Sequence, residues 1–109
     1  MFKLLASTLG GAVLAVALTA HAAPAPITIT IDNFTFNPAT MVIPVGTTVT
    51  WINQDDVPHT AVADDHKTFR SKPLDTDDRY SFTFATPGVY PYFCSIHPHM
   101  TAKIIVKAS

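Results

Sequence analysis

The fold class is predicted by one stretch of sequence, RYSFTFATPGVYPYFC, which spans residues 79–94. In its first half, Tyr80–Phe84, aromatic residues alternate with serine and threonine, which is the two-residue period of a half-buried β-strand. Pro87-Gly88 then signals a turn, and Val89–Cys94 is aromatic and extended. The stretch therefore predicts two β-strands separated by a turn.

The rest of the chain outward from this stretch has the same character, with almost no helical period after residue 22. Apolar and β-branched residues recur in short runs, and proline, glycine or asparagine residues bound these runs. The further extended segments are Ile27–Asp32, Met41–Ile43, Thr47–Ile52, His59–Ala63 and Lys103–Lys107. Seven or eight short strands predict an all-β sandwich or barrel. Periodicity does not give the strand order.

Residues 1–22 have the layout of a secretory signal peptide: a basic Lys3, an apolar stretch over Leu4–Ala20 and an Ala-x-Ala pattern ending at Ala22. The alternative is a membrane anchor, since a bilayer needs about 17–20 apolar residues. The cleavage pattern favours removal. We therefore expect one domain over residues 23–109 and export to the periplasm.

The composition of residues 23–109 restricts the possible partners and chemistry. These residues include six lysines and arginines in total and eight aspartates, and this charge balance does not indicate nucleic-acid binding. No further apolar span follows, so we expect no stable membrane association. We also expect a monomer. The chain has a single cysteine, Cys94, which cannot form an internal disulfide. It is therefore a buried small residue, an intermolecular partner, a nucleophile or a metal ligand.

The segment CSIHPHM, residues 94–100, lies between two predicted strands. Cys94, His97 and Met100 supply a thiolate, an imidazole and a thioether, which together select copper. Two imidazoles and one thiolate with a distant axial thioether form the site of electron-transfer copper proteins. The second imidazole must come from elsewhere, and His59 is the candidate because Pro58 precedes it where a strand should start.

Each of these residues also has a simpler interpretation. A lone cysteine is often a buried small apolar residue, Met100 alone would be a core residue, and isolated histidines are usually structural or exposed. Copper binding is preferred because the four residues occur together in one predicted β domain. We expect His99 to be an exposed surface residue rather than a competing ligand, since Pro98 separates it from His97.

Four segments of the sequence, Val49–Asn53, Pro58-His59, Pro87–Tyr90 and Cys94–Met100, resemble the cupredoxins, and among them the amicyanins most closely. The resemblance implies a Greek-key β-sandwich of about eight strands and one type 1 copper ion. It implies that the metal ligands are His59, Cys94, His97 and Met100. It also implies that Asn53 forms hydrogen bonds across to residues 94–100, the ligand loop.

The resemblance implies a periplasmic one-electron carrier that is not an enzyme. Its expected protein partners are a donor dehydrogenase and a cytochrome-type acceptor. The sequence departs from amicyanins at Ile96 and His99, which bears on the partner rather than on the copper. We expect the electron to leave through His97, and the apolar residues expected around it are Val57, Pro58, Ile96 and Pro98.

Several alternatives remain open from the sequence. The acidic residues Asp64, Asp65, Asp75, Asp77 and Asp78 either steer a basic partner or form a solvated loop. Copper carriage or delivery without electron transfer would use the same donors but predicts a methionine- or histidine-rich, open site. Only Met41 and Met100 follow residue 22. A multicopper oxidase would need several His-x-His elements, and a purely structural β module would leave Cys94 unexplained.

Overall fold

The computed structural model describes residues 22–108 of the chain, and most of the predicted signal peptide, residues 1–22, lies outside the described residues. Eight β-strands and no helix are present in the described part. They are β1 Ile27–Asp32, β2 Thr35–Asn37, β3 Thr40–Pro44, β4 Thr48–Asn53, β5 Val62–Ala63, β6 Arg79–Thr83, β7 Gly88–Phe93 and β8 Thr101–Lys107. Across residues 22–108, no helix has the length and apolar character needed to cross a membrane.

The strands form two four-stranded sheets, with orders β2-β1-β4-β6 and β3-β8-β7-β5. Strands β1 and β4 are parallel, as are β3 and β8, and the other neighbours are antiparallel. Each connection from β2 to β7 passes from one sheet to the other, so most neighbours within a sheet are distant in sequence. The all-β, Greek-key sandwich with eight strands is thus confirmed.

Aromatic side chains fill the space between the two sheets. Trp51 from β4 stacks on Phe69 with the ring centroids 5.2 Å apart, and it meets Tyr92 from β7 edge-on at 5.5 Å. Phe36 of β2 also contacts Tyr92, at 4.7 Å. All four rings are at most 2% exposed. Because large rings dominate core energetics, these contacts fix how the two sheets face each other.

The ends of the strands place the predicted metal ligands at one end of the sandwich. β7 ends at Phe93 and β8 begins at Thr101, so residues 94–100 connect two adjacent antiparallel strands. The prediction of a strand over His59–Ala63 was wrong in extent, since β5 covers only its last two residues. His59 is held instead by two backbone hydrogen bonds with Leu74, at 3.2 and 2.8 Å.

Two buried polar atoms in the core, Trp51 Nε1 and Tyr92 Oη, have no hydrogen-bond partner among the described residues. Burial strongly raises the pKa of Tyr92. The nearby Trp51 side chain acts to lower this pKa, although Trp51 Nε1 and Tyr92 Oη do not reach hydrogen-bond geometry. An unsatisfied buried polar group costs free energy that an apolar replacement of the same shape avoids.

We therefore expect Tyr92→Phe to raise the free energy of unfolding by up to ~1 kcal/mol, measured by guanidinium denaturation. The matched control is Tyr90→Phe, which removes the same hydroxyl at a site where it donates to the Thr86 carbonyl oxygen at 2.6 Å. This control should lower the free energy of unfolding by about 1 kcal/mol. Equal losses in both variants would contradict the assignment of the Tyr92 hydroxyl as unsatisfied.

Candidate metal centre

Three potential ligand atoms from two distant chain segments meet at one end of the sandwich. Cys94 Sγ lies 3.7 Å from His59 Nδ1 and 3.8 Å from His97 Nδ1, and the two nitrogens are 3.2 Å apart. The centre of this triangle is about 2 Å from each atom, which matches typical metal–nitrogen and metal–sulfur bond lengths of about 2.0–2.3 Å. A single metal ion therefore fits between the three side chains.

The three side chains differ in burial. His59 and Cys94 are fully buried, both at 0% exposure, whereas His97 is partly exposed. A thiol next to apolar residues is inert unless a positive group or a metal stabilises its thiolate. The backbone N–H of Thr60 points at Cys94 Sγ, 3.3 Å away, and donates a hydrogen bond to it. The centre thus has one closed side and one side that reaches the surface.

Asp55 fixes the orientation of the His59 ring. Its Oδ2 atom lies 2.7 Å from His59 Nε2, so this carboxylate accepts the Nε2 proton and leaves Nδ1 free to face Cys94. A carboxylate behind a ligand histidine sets the tautomer and increases the basicity of the ligand. Burial acts to raise the pKa of Asp55, but hydrogen bonds from the Phe34 and Asn33 amides and the contact with His59 lower it overall.

The ligand loop is closed by its own backbone. The Cys94 amide donates to the Met100 carbonyl at 3.1 Å, and the Met100 amide donates to the His97 carbonyl at 2.9 Å. Thr60 joins this loop to the His59 segment, because its Oγ1 accepts a hydrogen bond from the Ser95 amide at 2.7 Å and contacts Ser95 Oγ at 2.8 Å. These bonds hold the loop in place before any metal binds.

The predicted role of Asn53 is wrong in one respect. Its Nδ2 donates to the carbonyl oxygens of Val57 and Leu74, both at 2.8 Å, and its Oδ1 accepts from the Asp55 amide at 2.9 Å. Asn53 therefore braces the segment that leads to His59 but does not reach the ligand loop. Thr60 makes that connection instead, because it directly follows His59.

Met100 and His99 occupy different environments at the end of the loop. Met100 is 6% exposed and packs in the core, whereas His99 is exposed, as expected. A shallow cavity of about 450 Å³ opens beside the site and is lined by Phe34, Ile96, His97, Pro98, His99 and Met100. Of the residues predicted around His97, Ile96 and Pro98 line this cavity, and Val57 and Pro58 do not.

The sequence pattern does not single out Asp55, Thr60 or Phe34. Asp55 lies four residues before His59, and that spacing is the one local signal that relates it to a ligand. Phe34 belongs to no motif; it lies in the β1–β2 turn, and its ring contacts both histidines. Predicting contacts between segments that are distant in sequence requires the strand order, and periodicity does not give that order.

The acidic residues are partly used within their own turns. The Asp65 carboxylate accepts hydrogen bonds from the amides of Lys67 and Thr68 and from the Thr68 hydroxyl. These bonds lower the pKa of Asp65 to about 2, with the Thr68 hydroxyl contributing most. The Asp78 carboxylate similarly accepts from the Asp75 amide at 2.9 Å. Their positions thus have a structural reason in addition to any effect on a partner.

The fold and the potential ligand atoms are both those of a known protein family. Residues 5–106 match the family model of the cupredoxin-like domain, and the chain belongs to this family. A thiolate with two imidazoles and a nearby thioether is also the soft donor set that suits copper. Copper, as one ion, is therefore the cofactor.

Known relatives extend this comparison. The amicyanin of Paracoccus versutus is 38% identical over 71 residues, which are 60% of this chain and 52% of that protein; the chain thus spans about half of its length. A purple cupredoxin from Nitrosopumilus maritimus superposes with a TM-score of 0.69 and 38% identity, over 74% of this chain and 99% of that chain. A copper-containing nitrite reductase from Thermus scotoductus SA-01 gives a TM-score of 0.72 and 38% identity, over 84% of this chain and 25% of that chain.

The bridge between Thr60 and Ser95 can be tested by Thr60→Val, which keeps the side-chain shape but removes the hydroxyl. The partly buried bridge should be lost, and the free energy of unfolding of the metal-free protein should fall by about 1–2 kcal/mol. The control is Thr48→Val, which removes an exposed hydroxyl that bonds Thr83 across two strands at 2.7 Å. A loss no greater for Thr60→Val than for this control would show that the bridge does not hold the loop.

Proposed function

We propose that the chain is a type 1 copper electron-transfer protein whose ligands are His59, Cys94, His97 and Met100. The observation that carries this proposal is the triangle of Cys94 Sγ, His59 Nδ1 and His97 Nδ1, with sides of 3.2–3.8 Å. A trigonal arrangement of two imidazoles and a thiolate with a weak axial thioether is typical of blue-copper electron-transfer sites. The buried Met100, in the same loop, is the candidate axial ligand.

The surrounding residues support this function by restricting movement of the ligands. Bound copper would carry one electron by alternating between its cuprous and cupric states. Asp55 holds the His59 ring, Thr60 holds the ligand loop, and the two backbone bonds close that loop. Ligands held in this way change little between oxidation states, which favours fast electron transfer over bond chemistry.

The surface around His97 fits brief contact with a partner protein. Phe34 and Ile96 are 49% and 42% exposed, and together with Pro98 they surround the exposed side of His97. Weak redox complexes use small interfaces, and a few apolar residues around an electron exit match that requirement. We propose that the electron enters and leaves through His97 in this apolar patch, defined by Phe34, Ile96, His97 and Pro98.

We further propose that the protein acts in the periplasm between a donor dehydrogenase and a cytochrome-type acceptor. The sequence support is the signal-peptide pattern of residues 1–22, with residues 23–109 as the copper-binding domain. The amicyanin relative supports the same class of small copper protein. We propose a monomer, as is usual for proteins that dock briefly.

The alternatives are less well supported. A copper carrier needs a site from which copper leaves easily, whereas His59 and Cys94 are both fully buried and the ligand loop is closed by hydrogen bonds. The chain matches only a quarter of the nitrite reductase chain, so the activity of that enzyme does not carry over to it. We propose that the chain is not an enzyme.

Addition of one equivalent of cupric ion should give an intense visible absorption band from the Cys94 thiolate, and Cys94→Ser should abolish it. Met100→Gln should keep the band but lower the reduction potential, because an amide oxygen is a harder donor that favours cupric copper. Absorption spectroscopy and protein-film voltammetry provide the two measurements. A colourless wild-type protein with stoichiometric copper would indicate carriage instead.

The apolar patch is tested with Ile96→Lys, which places a charge beside His97. Electron transfer to a soluble c-type cytochrome, followed by stopped-flow absorbance, should slow by about tenfold, because an interface core tolerates charge poorly. The added positive charge itself favours cuprous copper, so the reduction potential is measured as well and the rates are compared at equal driving force. Val89→Lys is the control, since Val89 is 62% exposed on strand β7 outside the patch; equal slowing by both variants would place the docking site elsewhere.

A further inference from the structure

The turn between β1 and β2 has an unusual backbone. Asn33 and Phe34 have φ angles of 53° and 56°, so both central residues of a two-residue hairpin are left-handed, as a type I′ turn requires. Asparagine tolerates this region, but a bulky residue there is a conformational outlier. Glycine is the usual choice at the second position. Phe34 therefore occupies a place where its side chain carries a backbone cost.

The Asp55 carboxylate connects this turn to the metal centre. Its Oδ1 accepts a hydrogen bond from the Asn33 amide at 2.6 Å, and its Oδ2 accepts one from the Phe34 amide at 2.9 Å. The same Oδ2 also lies 2.7 Å from His59 Nε2. One side chain therefore binds both left-handed residues and a metal-ligating histidine, and charge-assisted bonds of this kind are among the stronger ones.

The turn places the Phe34 ring against both histidines. The ring meets His59 edge-on at 5.2 Å and His97 edge-on at 5.0 Å, with interplanar angles of 90° and 88°. Although it makes these contacts, Phe34 is 49% exposed. A strained backbone position that presents a half-exposed aromatic ring persists only when its surroundings hold it there, and here Asp55 does so.

We propose that the β1–β2 turn is part of the metal centre: Asp55 acts as a positioning residue that holds Phe34 over His59 and His97 as a shield. The shield keeps water and competing ligands away from the metal and limits movement of the more exposed His97. This inference rests on the proposed copper function. It assigns to Phe34 a role in retaining copper that is separate from docking.

The first test is Phe34→Gly, which removes the ring and relieves the left-handed backbone. Loss of cupric ion to excess EDTA, followed by the decay of the visible band, should accelerate by about tenfold or more, the range found when groups that support ligands are lost. The melting temperature of the metal-free protein should stay equal or rise. Val89→Ala, a truncation of an exposed residue on β7, should leave the extraction rate unchanged.

The second test addresses the connection through Asp55. Asp55→Asn removes the charge that binds the turn and His59, and it should also accelerate copper loss by about tenfold. The control is Asp56→Asn, which removes the same charge from an exposed neighbour and should leave the rate of copper loss unchanged. If Asp55 acts by holding Phe34, the double variant Asp55→Asn with Phe34→Gly should lose copper at nearly the rate of Asp55→Asn alone. Multiplying effects would mean that the two residues act independently and would overturn the coupling.

The outcomes separate the inference from the function on which it rests. A wild-type protein that takes up no copper contradicts the proposed function. A wild-type protein that binds copper, with Phe34→Gly releasing it at the wild-type rate, contradicts only the shield. The Phe34→Gly result stands even if Asp55→Asn does not fold, because the altered side chain is half-exposed and glycine suits the turn.

Discussion

The contact between the Thr60 backbone N–H and Cys94 Sγ, at 3.3 Å, is the interaction on which the metal centre depends. It joins two segments that lie 34 residues apart in sequence and places His59 beside the ligand loop. The Thr60 hydroxyl strengthens the same junction through Ser95. Since Thr60 follows His59 directly, one short segment provides both a ligand and the group that positions another ligand.

The sandwich makes this junction possible. β7 and β8 are adjacent and antiparallel, so the loop between them is short and stiff, and it begins with the buried Cys94. The His59 segment is held against the other side of the site through Leu74 and Asn53, which belongs to the end of β4. The two sheets are kept in register by Trp51 and Tyr92 between them. Packing between the sheets thereby sets the distances between Cys94 Sγ, His59 Nδ1 and His97 Nδ1 at this end of the sandwich.

The sequence predicted the features that depend on local pattern. Alternation predicted the β class, which the structure confirms, and the spacing of Cys94, His97 and Met100 predicted a ligand loop, because both are properties of short segments. The position of His59 beside a proline suggested the fourth ligand. The short strand β2 was missed because three residues carry too little periodicity to be recognised.

The residues that the sequence did not reveal act through tertiary contacts. Asp55 touches a turn 21 and 22 residues away, Phe34 reaches two histidines in different segments, and Thr60 bonds a loop 35 residues away. The resemblance to amicyanins assigned to Asn53 the bridging role that Thr60 has in this structure. Local pattern identifies which atoms can bind the metal, whereas strand order decides which atoms hold them.

The burial of the ligands explains how one site can be both rigid and accessible. His59 and Cys94 are buried, so water does not compete for them. The Asp55 carboxylate and the Thr60 amide, which are fixed groups, supply their hydrogen bonds instead. His97 is partly exposed, which suits the proposed path of the electron to a partner. In the proposed shield, the Phe34 ring beside His97 limits access of water to the metal and leaves the surface open to a partner. The strained turn persists at this position because the Asp55 carboxylate binds both of its central residues.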